Sequence, residues 1–223
     1  MFTGIIEAIG RIDKVVRQTH DLSLVIDVGQ LCLGDVQLGD SIAVNGVCLT
    51  VVSLLGNAFE ADVSIESLGN TNIGAFTVGS RVNLEKALTL STRLGGHMVS
   101  GHVDGVGHVA RITKDGRSTR YDIDAPAELH KYIAAKGSIT VDGVSLTVTA
   151  LRPEGFSLNI VPHTAGNTII PEYLVGTSLH LEVDVIARYT ERLLNAGSVS
   201  KPSEPASALD KDFLYAHGFT GRH

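Results

Sequence analysis

The sequence predicts a mainly β protein: two similar antiparallel barrels in tandem, followed by one α-helix. Three observations carry that expectation. First, the chain is written twice. The run Ser41-Ile42-Ala43-Val44-Asn45-Gly46-Val47-Cys48-Leu49-Thr50-Val51 returns as Ser138-Ile139-Thr140-Val141-Asp142-Gly143-Val144-Ser145-Leu146-Thr147-Val148, an offset of 97 residues. The same offset carries Gly4 onto Gly101, Glu7 onto Asp104, Gly10 onto Gly107, Gly69-Asn70-Thr71 onto Gly166-Asn167-Thr168, Val78-Gly79 onto Val175-Gly176 and Glu85 onto Glu182. A unit of this length exceeds the roughly 20–50 residues of a solenoid repeat. It describes a duplicated small domain whose two copies bind similar things. Second, the apolar pattern is mainly period two and β-branched. Third, Asn45-Gly46 and Asp142-Gly143 stand at the same place in both copies. Such pairs mark tight hairpins, because a type I′ turn needs positive φ at both central residues.

The elements follow in order. Ile5 to Ile12 and Val103 to Val109 read as the opening strands of the two copies. Leu22 to Ile26, Val47 to Leu55 and Phe59 to Ile65 read as further strands, each closed by Gly, Asn or Asp. Short helical pieces are expected at Pro126 to Ala134, where proline suits a first turn, and after Glu66 and His163. Short strands at regular spacing, with no long helices between them, favour an antiparallel barrel of about six strands per copy over a Rossmann-type sheet. The domain reading is residues 1–97 for the first barrel and 98–186 for the second, with Ala87 to Gly96 as the connection. Residues 187–196 form an amphipathic helix with Tyr189, Leu193 and Leu194 on one side. It has no counterpart in the first copy. A lone helix of that length is marginal in water, so its apolar stripe is expected to pack on something such as another subunit. Residues 197–223 read as a flexible tail, rich in Ser, Pro and Ala up to Leu209 and aromatic at Phe213, Tyr215 and Phe219.

Composition excludes several partners. The net charge of −6 argues against nucleic acid, which demands clustered Lys and Arg. No apolar run approaches the roughly 18 residues of a membrane span. Met1-Phe2-Thr3-Gly4 lacks the basic and apolar regions of a signal peptide. Cys32 and Cys48 could form one disulfide, but neither stands in a CxxC or metal-ligand spacing. A reduced, cytoplasmic enzyme is the expectation.

Gly105-Val106-Gly107-His108-Val109-Ala110 matches the dinucleotide pattern G-x-G-x-x-A, which requires a helix through its last position. Here strand alternation continues, so tight β packing explains the glycines. His97, His102 and His108 lie close in sequence, but spacings of five and six share neither a helical nor a strand face. No other cluster completes a metal shell, and no metal is expected. Cys48 faces Ser145 across the repeat, with Thr50 and Thr147 two residues on and therefore on the same strand face. A buried core would not need a polar pair there in both copies. Lys136, Asp142 and Asp184 replace Gly39, Asn45 and Ala87, and His102 replaces Ile5. Solvated surface is the default for such charges, yet charges gained by one copy alone would make two similar pockets behave differently.

Four stretches together carry a resemblance. Met1-Phe2-Thr3-Gly4-Ile5-Ile6-Glu7, Asn45 to Val51, Gly95-Gly96-His97-Met98-Val99-Ser100-Gly101-His102-Val103 and Asp142 to Val148 closely resemble the riboflavin synthase family of the alpha-chain type, over about residues 1–195. The resemblance implies two six-stranded Greek-key barrels, each holding one lumazine. It also implies a C-terminal trimerisation helix, a homotrimer with its active site between subunits, and an association with lumazine synthase. The implied reaction is the dismutation of two 6,7-dimethyl-8-ribityllumazine molecules. One passes a four-carbon unit to the other, giving riboflavin and 5-amino-6-ribitylamino-2,4-pyrimidinedione, with no metal or other cofactor.

Carried over by motif, the first pocket would use Gly4, Ile5 and Ile6, then Cys48, Leu49 and Thr50, then Asp62, Val63, Ser64, Ile65, Glu66 and Ser67. The second would use Gly101, His102 and Val103, then Lys136, then Ser145, Leu146 and Thr147, then Val161, Pro162, His163, Thr164, Ala165 and Gly166. Phe2, Thr3, Ser41, His97 and Asp184 match family positions at or near the chemistry. The stretch Ser64 to Gly69 departs from a Pro-Glu-Thr-Leu-like pattern that many members carry there. Two identical reactants need two near-identical pockets held face to face, and proximity can supply on the order of 7–11 kcal/mol. Cys48, Ser41 and Thr50 are the expected nucleophile or proton relay in the first barrel. His102, helped by His97, is the expected general base, since imidazole titrates near neutral pH. The rivals are a lumazine- or flavin-binding protein on the same fold and a flavin reductase. The first would have shed polar residues from a pocket. The second needs a nicotinamide domain, and Arg188-Tyr189-Thr190 lies on the expected helix, away from any flavin-binding spacing.

Overall fold

Each copy of the repeat closes into a barrel of six antiparallel strands. The computed structural model describes residues 1–17, 22–196 and 217. The first barrel comprises β1 (Ala8–Arg17), β2 (Leu22–Asp27), β3 (Ser41–Val44), β4 (Val47–Leu54), β5 (Ala58–Val63) and β6 (Arg81–Lys86). The second comprises β7 (Gly105–Asp115), β8 (Ser118–Asp124), β9 (Ser138–Val141), β10 (Val144–Arg152), β11 (Gly155–Ile160) and β12 (Ser178–Val183). Around the first barrel the order is β1-β2-β5-β4-β3-β6, and the second repeats it strand for strand. β2 and β3 are not neighbours, nor are β5 and β6, so the chain crosses the barrel ends in Greek-key fashion.

Strand alternation builds the cores. In β2, Leu22, Leu24 and Ile26 are buried while Ser23, Val25 and Asp27 are partly exposed. The expected type I′ turns are present, with φ of 45° and 80° at Asn45-Gly46 and 43° and 81° at Asp142-Gly143. Gly107 lies inside β7, where an added Cβ would stand 2.7 Å from the Asp124 carbonyl and 2.6 Å from Leu181 Cδ1. The glycines of the G-x-G run therefore serve close strand packing. Pro126 to Ala134 forms a 3-10 helix over Ala127–Tyr132. The two pieces after Glu66 and His163 appear as α1 (Ile65–Asn70) and α2 (Pro162–Gly166).

The opening strands start later than their periodicity suggests, at Ala8 and Gly105. Residues 4–6 and 101–103 instead leave their own barrel and run to the other one. Ile6 packs against the second core, and Val103 packs against the first. Equivalent residues meet where the barrels touch. Phe2 and Val99 exchange amide–carbonyl bonds of 2.7 and 3.1 Å, and Gly46 and Gly143 approach so closely that a Cβ on either would clash with the other's backbone. Asn83 Nδ2 donates to the Asp142 carbonyl at 2.9 Å, while its counterpart His180 donates from Nδ1 to the Asn45 carbonyl at 2.8 Å. Nε2 of His180 accepts from the Asn72 amide at 3.1 Å, which assigns the proton to Nδ1.

Both barrels belong to one unit, Met1–Arg188. The C-terminal helix α3 spans Val185–Ala196, two residues earlier than its amphipathic pattern indicates. The Asp184 side chain accepts from the Ile186 amide at 2.9 Å and its carbonyl from the Ala187 amide, so Asp184 starts the helix. Tyr189, Leu193 and Leu194 are exposed. The tail expected over 197–223 lies outside the described residues, residue 217 apart. Among the described residues, no helix is long and apolar enough to cross a membrane.

Candidate functional site

The crossed segments build the rims of both barrels. Gly101 presents its carbonyl to the Cys48 amide at 2.9 Å, and Gly4 presents its carbonyl to the Ser145 amide at 2.7 Å. Gly101, His102 and Val103 therefore belong with Cys48, and Gly4, Ile5 and Ile6 with Ser145. This reverses the grouping expected from sequence order. The reason is the close approach at the two glycines. They have φ of 74° and 80°, and a Cβ would lie 2.6 Å from Ser145 Cβ or Cys48 Cβ. A buried carboxylate holds each crossing. Glu85 accepts from the Thr3 amide and hydroxyl, both at 2.6 Å, and from the Gly4 amide at 2.9 Å. Glu182 does the same with the Ser100 amide and hydroxyl, at 2.6 Å, and the Gly101 amide, at 3.0 Å. Burial pushes both carboxyls above the ordinary glutamate range, against the downward pull of these donors.

At the first barrel these elements enclose a cleft of about 390 Å³ lined by Val47, Cys48, Ser64, Glu66, Ser67, Asn70, Thr71, Gly101, His102 and Val103. Cys48 comes from the start of β4, just past the hairpin, and is half-buried, while the His102 side chain is exposed. The far wall is α1, capped where Ser64 Oγ accepts from the Ser67 amide at 3.1 Å. Cys48 and Cys32 are free thiols, so the disulfide alternative does not form. Ser41 faces Thr50 across the β3–β4 pair and opens on a different cleft, of about 580 Å³, shared with Thr3, Ile5, Glu85 and Ala87. Ser41 and Cys48 are thus not brought to one cleft.

At the second barrel the joint between the copies changes the chemistry. Nδ1 of His97 is hydrogen-bonded to Ser145 Oγ at 2.7 Å, and Nε2 lies 3.3 Å from Thr140 Oγ1. Gly96 admits this approach, since a Cβ there would sit 2.1 Å from the Thr3 carbonyl oxygen and 2.7 Å from Ser145 Cβ. Burial lowers the His97 pKa below the ordinary histidine value, and the charge of Asp184 opposes that shift. His97 therefore serves Ser145, and the expected pairing of His97 with His102 gives way to one histidine at each rim. Lys136 is exposed and holds φ of 66°, where its counterpart Gly39 has 93°. A side chain in that conformation costs on the order of 1 kcal/mol or more, and such strain clusters at functional positions.

Other candidates fall where alternation sends them. Leu49 and Val63 face the first core, at 2% exposure each, so only their backbones border the rim. Phe2 is fully buried against Ala43 and Val99 and supports Cys48 from beneath. Leu146 and Ala165 pack on the second core. Thr50, Asp62, Ile65, Thr147, Val161, Pro162, His163 and Gly166 are exposed, and Thr164 is partly so. Asp142 is no pocket residue. It is buried between the barrels, accepting from the His180 amide at 2.8 Å and the Tyr173 hydroxyl at 2.6 Å. Among the described residues no group of His, Cys, Asp or Glu could hold a metal ion. Glu85 and Glu182 were missed as site residues, although their equivalence across the repeat was a visible signal.

Comparison with known proteins agrees with this architecture. A family model, the lumazine binding domain, matches twice, over residues 3–87 and 100–184. The chain is 48% identical to riboflavin synthase of Photobacterium phosphoreum, over 98% of this chain and 99% of that protein. Among solved structures it is similar to LumP complexed with riboflavin, at 26% identity and a TM-score of 0.76, covering 82% of this chain and 99% of the other. LumP complexed with 6,7-dimethyl-8-(1'-D-ribityl) lumazine gives 25% identity and a TM-score of 0.75 over the same shares.

Proposed function

The chain belongs to the riboflavin synthase family of lumazine-binding proteins, and from that premise we propose that it converts two molecules of 6,7-dimethyl-8-ribityllumazine into riboflavin and 5-amino-6-ribitylamino-2,4-pyrimidinedione. The products contain all the atoms of the two substrates, so the transfer of the four-carbon unit balances without an external oxidant or reductant. The observation that carries the reading is that both rims keep a nucleophile-bearing side chain together with a histidine: Cys48 with His102, and Ser145 with His97. A protein that only held the ligand would need neither.

The chemistry follows from those pairs. One lumazine must lose a proton from a ring methyl, and the other must accept a hydroxyl or thiol at its electron-poor ring. With its pKa lowered by burial, the His97 imidazole is neutral near pH 7 and available as a base, with Ser145 Oγ at 2.7 Å to pass the proton. In the first cleft the Cys48 thiol is the nucleophile or relay and His102 the base. Ser41, Thr50 and Asp184 remain supporting candidates. One lumazine per barrel makes proximity the larger contribution. The two rims would then face each other between subunits of a homotrimer assembled through the exposed Tyr189, Leu193 and Leu194 stripe of α3. Two free thiols suit the reducing cytoplasm, where this reading places the protein.

The test is incubation of the purified protein with the lumazine alone. Riboflavin fluorescence should grow, with the pyrimidinedione formed in equal amount. Lumazine that binds and is recovered unchanged would make this a binding protein of the LumP kind.

A further inference from the structure

We propose that Glu182 is a positioning residue for the cleft at Cys48, acting through Ser100 and Gly101 on His102; the proposal deepens the lumazine reading of that cleft and rests on it. Glu182 stands on β12 of the second barrel, yet every donor it accepts belongs to the segment that crosses to the first. Oε1 takes the Ser100 amide and hydroxyl, and Oε2 takes the Gly101 amide. Ser100 Oγ in turn accepts from the His102 amide at 3.3 Å, and the Gly101 carbonyl accepts from the Cys48 amide at 2.9 Å. One carboxylate therefore sets the backbone that carries His102, while Cys48 is held by its own strand pairing in β4 and meets that backbone only through its amide.

The carboxylate is required because both of its oxygens must accept. A glutamine has one acceptor oxygen and would turn an NH₂ toward either Ser100 or Gly101, leaving a buried donor unmatched. Burial holds this carboxylate at 4% exposure, where water cannot substitute. Glu85 provides the internal control. It makes the same three bonds to Thr3 and Gly4 at the same burial, but the segment it holds runs to Ser145. Equal damage to folding is expected from either substitution, and only one of the two touches His102.

The experiment is a double-mutant cycle on lumazine turnover. Glu182→Gln should lower kcat by about tenfold to a hundredfold, the loss that a displacement near 1 Å can cause. In a His102→Ala background the same substitution should cost little more, whereas Glu85→Gln should cost as much in either background. Should Glu182→Gln fold poorly, Ser100→Ala removes the hydroxyl that joins Glu182 to the His102 amide and leaves the two amide bonds to the carboxylate in place. A full, additive loss from Glu182→Gln or Ser100→Ala in the His102→Ala background overturns the proposal. An independent arm needs no turnover. The His102 imidazole NMR resonances should move in Ser100→Ala and stay in Glu85→Gln, and unmoved resonances in Ser100→Ala also overturn it. Failure of the wild-type protein to convert lumazine would instead sink the functional reading, with the NMR arm still deciding the positioning.

Discussion

The amide of Ser145 donates to the carbonyl of Gly4 at 2.7 Å, so residues from the start of the first copy complete the rim of the second barrel. The reciprocal bond, from Cys48 to Gly101, completes the first. Neither rim is finished by its own copy, and neither barrel can move far from the other without opening a cleft. This crossing ties the stability of the pair to the geometry of both candidate pockets, and each expectation below probes one of its parts.

Gly101→Ala should be worse than a generic positive-φ glycine replacement. Gly101 has φ of 80° and its added Cβ would stand 2.6 Å from Cys48 Cβ, whereas Gly56 has φ of 69° with open space around it. Gly56→Ala should cost about 1 kcal/mol from backbone strain. Gly101→Ala should cost about 2–4 kcal/mol and impair lumazine binding, because the neighbour must also shift. Denaturant midpoints and lumazine titrations of the two variants check this, and equal costs would show that the close approach is unimportant.

Cys48→Ala and His102→Gln should each slow turnover by on the order of a hundredfold or more, the usual contribution of an acid–base or nucleophilic group. Lumazine should still bind, since the cleft keeps its walls from α1 and the crossing segment. Turnover that is unchanged in both variants would remove the first cleft from the chemistry.

His97 should titrate below the ordinary histidine value of about 6.5, because burial outweighs the attraction of Asp184. Asp184→Asn removes that attraction and should lower the His97 pKa further, moving the acid limb of activity to lower pH. The sign for stability follows from the same shift. The unfolded chain binds the proton more readily, so the contribution of His97 is present above its unfolded pKa and is lost as pH falls toward the folded one. NMR titration of the His97 ring in the wild type and Asp184→Asn decides it; a rise in pKa on removing Asp184 would refute the assignment.

Tyr173→Phe should destabilise the contact between barrels by about 1–3 kcal/mol, because it leaves a buried acceptor of Asp142 without its donor. The first copy carries Asn45 and Phe76 at the equivalent positions, a combination in which Asn45 Oδ1 accepts from the Asn83 amide at 2.7 Å and no hydroxyl is needed. Asp142→Asn combined with Tyr173→Phe should therefore recover part of the loss. Chemical denaturation of the two single variants and the double measures the coupling, and strict additivity would show that the two positions are independent.

The sequence by itself determined the duplication, the barrel class, the hairpins at Asn45-Gly46 and Asp142-Gly143, and the polar pairs at Cys48–Thr50 and Ser145–Thr147. These features are local or periodic: period-two alternation, turn residues with obligatory φ and an exact-length repeat survive in a linear string. Only the tertiary structure decided which segment serves which barrel. It moved Gly101, His102 and Val103 to Cys48, sent Ser41 to a separate cleft and paired His97 with Ser145. Those outcomes rest on backbone amide–carbonyl bonds and side-chain contacts between residues far apart in the chain. Every residue but proline offers the same amide and carbonyl, so the partner in such a bond leaves no mark in residue type, and glycine at positions 4 and 101 marks only that a close approach occurs. Packing of the two barrels alone selects the partners.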